Sequence, residues 1–432
     1  MRLLRSDRFA AALLLGAAVI GLALANSPVG PEFLAWLGHH IDLPWLGLDL
    51  SAGHWISDGL LAIFFFIAAV DLRRELTIGE LNSLSKAALP GIAAAGGVIV
   101  PIIVYLIIDG GANPTGWPIP TATDIAFALG VLALFGRFIP VRVRVFLLAL
   151  AVLDDIVGIL LIAFFFTDHV ELGWLGLATA ALLVFAGVSR LLRPRSNWVL
   201  SRKPRWPIAV LLWVLAIIVW YGVLRSGVHA TIAGVLLGLV ITRTLGGRAE
   251  HQLTPWSNGV VLPLFAFTAA AVAIPQVAVS ELSPAFWAIL VALPVGKFIG
   301  ITLAAGIGGL ALRGGSKVAH SLPDLMVVAS LGGIGFTVSL LMNDLAFGNS
   351  PEVADEGTLA VLGGSLVSII IGSIAVSLRS RHYGRVLRHG IHDRSGEPNG
   401  AAPASTAPAV AEPAAAETTP TASDGSAKPP RP

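Results

Sequence analysis

Ala149–Leu150–Ala151–Val152–Leu153–Asp154–Asp155–Ile156–Val157–Gly158 sets two adjacent carboxylates near the middle of an apolar run reaching from about Val145 to Phe166. A run of that length can cross a bilayer as a helix. An aspartate at the centre of such a helix costs roughly 2.5–3.5 kcal/mol on insertion scales, and a pair about twice that. A cost of that size points to a cation or proton site inside the membrane. The plain alternative is an inert pair satisfied by a neighbouring cation and hydroxyls. Successive residues on a helix point about 100° apart, so the two carboxylates cannot share one environment. One can face a partner helix while the other faces a water-filled cavity.

The rest of the chain is built for the same medium. Hydrophobic residues make up 55% of its 432 positions and charged residues 12%, with a mean hydropathy of +0.82. These values describe a polytopic membrane protein. There is no cysteine, which excludes disulfides, thiolate metal sites and cysteine nucleophiles. Arg2, Arg5 and Arg8 before the apolar run Phe9–Ala25 resemble a secretory signal. Because the chain goes on spanning the membrane, a retained first helix is expected.

Hydropathy separates twelve spans, at about 9–26, 55–72, 88–108, 119–136, 145–166, 172–189, 207–224, 228–245, 257–274, 285–312, 324–347 and 357–378. With both termini in the cytoplasm, all but four of the 28 basic residues fall on the cytoplasmic side. The exceptions are Arg225 outside, Lys297 within a span, and Lys428 and Arg431 in the tail. This obeys the positive-inside rule, and a missed span would scramble it. The external loops are acidic or neutral, and the longest contains Ile41–Asp42–Leu43–Pro44–Trp45–Leu46–Gly47–Leu48–Asp49–Leu50–Ser51. Its loose alternation around Gly47 reads as a short β-hairpin or as an irregular surface loop. The expected domains are a transmembrane region, 1–388, and a disordered Ala/Pro-rich cytoplasmic tail, 389–432.

Two spans are poorly built as continuous helices. Span 4 reads Trp117–Pro118–Ile119–Pro120–Thr121–Ala122–Thr123–Asp124–Ile125, and its prolines favour a broken backbone near Thr123 and Asp124. Span 11 reads Leu331–Gly332–Gly333–Ile334–Gly335–Phe336–Thr337. Each is the middle member of a three-helix group, and interrupted spans at matching places are the best sequence pointer to a transporter site. Breaks inside a membrane are tolerated only beside a cavity or a compensating charge, and Asp124 and Lys297 are the available compensators. For the glycines alone, close helix packing is the competing reading. Lys297 is the one basic residue expected to be buried within a span, with apolar residues flanking it for several turns each way. It requires Asp154, Asp155 or Asp124 as a partner, or else it snorkels to the surface.

Thr123–Asp124–Ile125–Ala126–Phe127–Ala128–Leu129–Gly130, Asp154–Asp155, Ser226–Gly227–Val228–His229–Ala230–Thr231, Leu262–Pro263–Leu264–Phe265–Ala266–Phe267 and Gly333–Ile334–Gly335–Phe336–Thr337 follow one another in this order. Over about residues 10–380 they resemble the NhaA sodium/proton antiporter family. The resemblance implies an all-α fold of twelve transmembrane helices with inverted three-helix repeats, in which broken spans 4 and 11 cross beside a cytoplasmic funnel. It makes Asp155, with Asp154, the site for cation and proton, with Asp124 and Thr123 as neighbours and the glycines Gly332, Gly333 and Gly335 at the second break. Lys297 would pair with Asp154 or balance the half-helix ends. It also implies pH control through Asp71, Glu75, Glu250 and His251 at the cytoplasmic mouth and through His229, for which packing is an equal alternative. The hairpin at 42–51 would be the contact of a homodimer in a bacterial-type plasma membrane. No cofactor and no nucleic-acid partner are implied.

Some positions depart from the family pattern. Asp71 stands where a glutamate is usual, Phe298 where a proline follows the lysine, and Thr268–Ala269–Ala270 where Asn-Ala-Gly is expected. Val157–Gly158 replaces Gly-Ala after the aspartates. None removes a proposed ligand.

The chemistry follows from hard oxygen donors, which suit Na⁺ and Li⁺. A bare carboxylate binds the ion and a protonated one does not, so proton and cation compete for one site. Exchange of two protons for one Na⁺ across two carboxylates moves net charge. The expected function is electrogenic, pH-regulated export of Na⁺, with Li⁺ as a second cargo, driven by inward H⁺ flow. A sodium-coupled organic-solute transporter of the same fold is the alternative, and it needs a larger polar pocket. An enzyme is not expected. An intramembrane aspartyl protease needs aspartates on facing helices, whereas Asp154 and Asp155 are neighbours on one.

Overall fold

The computed structural model describes residues 7–44, 47–79, 82–165, 170–191, 206–274, 279–311 and 321–395. The hairpin tip (Trp45, Leu46), the external loop 166–169, the basic loop 192–205 and the tail from 396 lie outside the described residues.

Helices follow the apolar runs. In order they are α1 (Asp7–Ala25), α2 (Gly30–Leu37), α3 (Ala52–Thr77), α4 (Leu84–Asp109), α5 (Ile125–Phe135), α6 (Val141–Phe165), α7 (Leu172–Leu191) and α8 (Trp206–Arg225). There follow α9 (Thr231–Val240), α10 (Arg243–Trp256), α11 (Leu262–Ala269), α12 (Pro284–Ala311), α13 (Leu322–Gly332), α14 (Phe336–Phe347) and α15 (Pro351–Ser395). Local chemistry marks the ends. Ser51 and Ser283 accept from the N–H groups of His54 and Phe286 as N-caps, and Gly110 ends α4 in the left-handed region at φ 61°.

Eight of the described helices are long and apolar enough to cross a membrane, or up to ten if two bent pairs each count as one span. One pair is α1 with α2, bent by 114°, and the other is α13 with α14, bent by 47°. The stretch expected as span 8 forms the shorter α9, and the one expected as span 9 is divided by a π-helical turn at Ser257–Val261. Span 4 is also interrupted. It holds 3₁₀ turns at Pro114–Gly116 and Ile119–Thr121, then extended residues, and only then α5.

Residues 40–51 form the hairpin: β1 (His40–Leu43) pairs antiparallel with β2 (Leu48–Ser51), Leu43 opposite Leu48. Gly47 turns it at φ 60°. Arg225, the single external basic residue of the sequence reading, donates to the Gly47 carbonyl at 2.5 Å and lies over the Trp174 ring.

The interior joins the helices that carry the charges. α4 crosses α12 with Gly96 and Gly300 in mutual backbone contact, where any Cβ would collide with the opposing carbonyl. A π-helical stretch, Ala292–Gly296, precedes Lys297, because Pro294 has no N–H to continue the regular ladder. At one end of the bundle, the buried Asp324 of α13 accepts from Arg379 Nε at 2.7 Å and from the Tyr383 hydroxyl at 2.9 Å, both on α15. Arg142 of α6 stands 3.7 Å away, and the Ser380 hydroxyl accepts the Phe138 N–H. Two compact units are present, Met1–Val386 and the remainder from Leu387. Within the second, α15 continues as helix to Ser395.

Arg379→Gln removes the main counter-charge of a carboxylate that is 1% exposed. The expected cost is roughly 3 kcal/mol, read as a lower thermal-unfolding midpoint of the purified protein in detergent. An unchanged midpoint would mean that Tyr383 and Arg142 hold Asp324 without it.

Candidate functional site

Both interruptions meet at one place. The Asp124 N–H donates to the Ile334 carbonyl at 2.6 Å, and the Asp124 carboxylate reaches back to span 11. Its Oδ1 accepts the Phe127 N–H at 3.0 Å, as the N-cap of α5. Its Oδ2 accepts the Thr337 hydroxyl at 2.7 Å and the Thr337 N–H at 3.2 Å, at the start of α14. One carboxylate thus serves two half-helix N-termini, whose unsatisfied N–H groups and partial positive charge favour an anion.

The second cluster is cationic. Lys297 Nζ, fully buried, donates to Asp154 Oδ2 at 2.7 Å and to Thr123 Oγ1 at 2.6 Å. The Thr123 hydroxyl in turn lies 2.7 Å from Asp154 Oδ2 and 2.8 Å from the Gly332 carbonyl. A hydroxyl has one proton, so Thr123 accepts from the lysine and shares its own proton between these two acceptors. Lysine and threonine therefore cover the anionic Asp154 and the C-terminal carbonyl of α13, the end at which a cation belongs.

Asp155 takes no part in either cluster. It is 8% exposed, and its Oδ1 is buried without a hydrogen-bond partner among the described residues. Asp154 Oδ1 is likewise unpartnered. Gly332, Gly333 and Gly335 line the second break, but none has a positive φ. They are needed for space. A Cβ on Gly333 would stand 2.7 Å from the Ser368 hydroxyl, and one on Gly335 would collide with that of Ser339.

The regulatory candidates lie elsewhere. Asp71 on α3 lies against Glu250 on α10, close enough for the two carboxylates to repel, with Glu75 one turn along from Asp71. His251 is exposed. His229, just before α9, has Nδ1 3.4 Å from Asp58 Oδ1 and 3.3 Å from the Thr231 hydroxyl. The sequence reading did not single out Thr337, Ser339 or Ser365. The first binds Asp124, Ser339 donates to the Ile119 carbonyl at 2.8 Å, and Ser365 accepts the Phe336 N–H at 3.1 Å. Only the Gly-Ile-Gly-Phe-Thr run gave a signal, for the first of them.

The profile of the family described as Na+/H+ antiporter 1 matches residues 1–376. The chain belongs to that family. It is 55% identical over 381 residues to "Na(+)/H(+) antiporter NhaA 2" of Clavibacter michiganensis, covering 88% of this chain and 92% of the relative. It is 45% identical over 378 residues to "Na(+)/H(+) antiporter NhaA" of Tropheryma whipplei, with 87% and 94% covered. With the protein of that name from Streptomyces avermitilis it shares 41% over 395 residues, covering 88% and 82%. The Na+/H+ antiporter 1 family is one of transporters, not enzymes.

Removing the buried lysine tests the pairing. Lys297→Met leaves Asp154 charged and unpaired at full burial, a loss of roughly 3–5 kcal/mol; adding Asp154→Asn restores most of it. Thermal unfolding of both single variants and the double variant measures the coupling, and additive losses would refute the pairing.

Proposed function

We propose that the chain exchanges cytoplasmic Na⁺ for external H⁺ at Asp155. The observation that carries this reading is the unpartnered buried Oδ1 of Asp155 beside two helix breaks whose own charges are already matched. Asp124 is committed to the N-termini of α5 and α14, and Asp154 to Lys297. Asp155 is the carboxylate left for an ion that comes and goes.

The exchange follows from occupancy. Anionic Asp155 holds Na⁺, with neutral oxygens of the breaks as further hard ligands; protonated Asp155 does not. Among the described residues no group of three or more His, Cys, Asp or Glu side chains could hold a metal ion. A site of one or two carboxylates suits a cargo that must leave. Li⁺ prefers the same donors. Asp154, balanced by Lys297, supplies the second proton step: when the pair parts, Lys297 gives up its proton and the freed carboxylate turns to the ion. Two protons against one Na⁺ make the cycle electrogenic. The carboxylate pair of Asp71 and Glu250, with Glu75 and His251, is the regulatory element at the cytoplasmic mouth, and His229 is a second one outside.

The same reading places twelve spans with inverted repeats in a bacterial-type plasma membrane. Both termini are cytoplasmic, 389–432 is a tail, and two copies pair through the hairpin at 42–51. The organic-solute alternative gains no support. A cavity of about 600 Å³ lies between α3, α8, α9 and α10, walled by apolar side chains such as Phe66, Trp213 and Trp220, and none of the site residues lines it.

Everted vesicles with a preformed pH gradient test the proposal. Adding NaCl should dissipate the gradient, and Asp155→Asn should abolish the response. Asp71→Asn, which removes one carboxylate of the pair, should shift the pH dependence while leaving the maximal rate within about twofold. A response to an organic solute alone, or full activity of Asp155→Asn, would overturn the assignment. A reversal point that ignores membrane voltage would overturn the two-for-one exchange.

A further inference from the structure

The N-terminus of α14 carries more unsatisfied backbone than Asp124 covers. Gly335, its N-cap residue, has no side chain to offer, and the first N–H with a partner inside this segment is that of Ser339. Thr337 N–H goes to Asp124 Oδ2. Phe336 N–H goes to the hydroxyl of Ser365, at 3.1 Å, on α15. Ser365 is 1% exposed. Two different helices thus divide one half-helix end between them, span 4 supplying a carboxylate and α15 a hydroxyl.

We propose that Ser365 is a positioning residue of the cation site, capping α14 from α15 so that Asp124 need not carry that end alone. This rests on the reading of Asp155 as the ion-binding carboxylate, on which Asp124 acts through its charge. Without the hydroxyl, Phe336 N–H is an orphan donor in a low-dielectric site, and the only anion at that helix end is Asp124. The end then draws the carboxylate more strongly, and less of its negative field reaches a cation at Asp155. Affinity for Na⁺ falls while the steps of exchange remain.

Ser368 provides an internal control. It lies one turn further along the same helix, is equally buried at 1%, and faces Gly333, but its hydroxyl has no hydrogen-bond partner. Loss of that hydroxyl removes no cap.

The test is Na⁺-dependent dissipation of a preformed pH gradient in everted vesicles, at fixed pH and normalised to the amount of folded protein. Ser365→Ala should raise the apparent KM for Na⁺ about tenfold, the scale of one lost hydrogen bond, with the maximal rate within about twofold. Ser365→Thr, which keeps the acceptor, should restore the wild-type KM, and Ser368→Ala should not change it. Ser365→Cys keeps the volume with a weaker acceptor; its intermediate KM serves where the alanine variant does not accumulate. Equal KM shifts in Ser365→Ala and Ser368→Ala, a lost rate without a KM shift, or wild-type KM in both Ser365→Ala and Ser365→Cys would overturn the proposal. Failure of the Asp155 assignment is seen separately, as Na⁺ response persisting in Asp155→Asn whatever the Ser365 variants do.

Discussion

Backbone groups freed inside a membrane must find partners in the protein, because water is absent there. Two interrupted spans free such groups at one point in this chain. Nearly every polar side chain in the centre of the molecule answers one of them. Asp124 and Ser365 accept from the N–H groups that begin α14, Asp124 also caps α5, and Thr123 covers the last carbonyl of α13. The glycines of span 11 belong to the same solution. With side chains, Gly333 and Gly335 would push away the hydroxyl-bearing helices that close the break.

Charge is matched on the same plan. A buried lysine beside a buried carboxylate is tolerable only with close geometry and further hydrogen bonds, and Lys297 has both, with Asp154 at 2.7 Å and Thr123 at 2.6 Å. Once Asp154 is balanced by Lys297 and Asp124 by two helix ends, the centre is left with one uncompensated carboxylate. The identity of the neighbouring residues on α6 decides which it is. Successive side chains diverge by about 100°, so Asp154 faces the breaks and Asp155 does not share their hydrogen bonds.

How much of this was legible in the sequence depended on cost. Asp154, Asp155, Asp124 and Lys297 stood out because a charge in an apolar run is expensive, and the break in span 4 because proline cannot continue a helix. The division between the two aspartates, left open between Asp154, Asp155 and Asp124 as the lysine's partner, was settled by the side-chain geometry. Ser339 and Ser365 were silent, and Thr337 showed only as the end of a glycine run: a hydroxyl costs little within a span, and its partner is 29 residues away for Ser365 and Phe336, or more than 200 for Thr337 and Asp124. Hydropathy also overstated the regularity of the helices. It sees apolar content, not hydrogen-bond pattern, so the π-helical turn at Ser257–Val261 and the short α9 were invisible to it.

The arrangement also supplies a physical reason for coupling. An empty, anionic Asp155 is a lone charge in a medium of low dielectric, where its self-energy is large. In the exchange proposed above, sodium neutralises it, and so does a proton. The helices around the breaks can rearrange at small electrostatic cost while either is bound, but at much greater cost with the site empty. Obligate exchange then requires no separate gate that recognises each ion. It follows from leaving one carboxylate without a resident partner among the described residues, in a centre where Lys297, Asp154 and Asp124 are already matched.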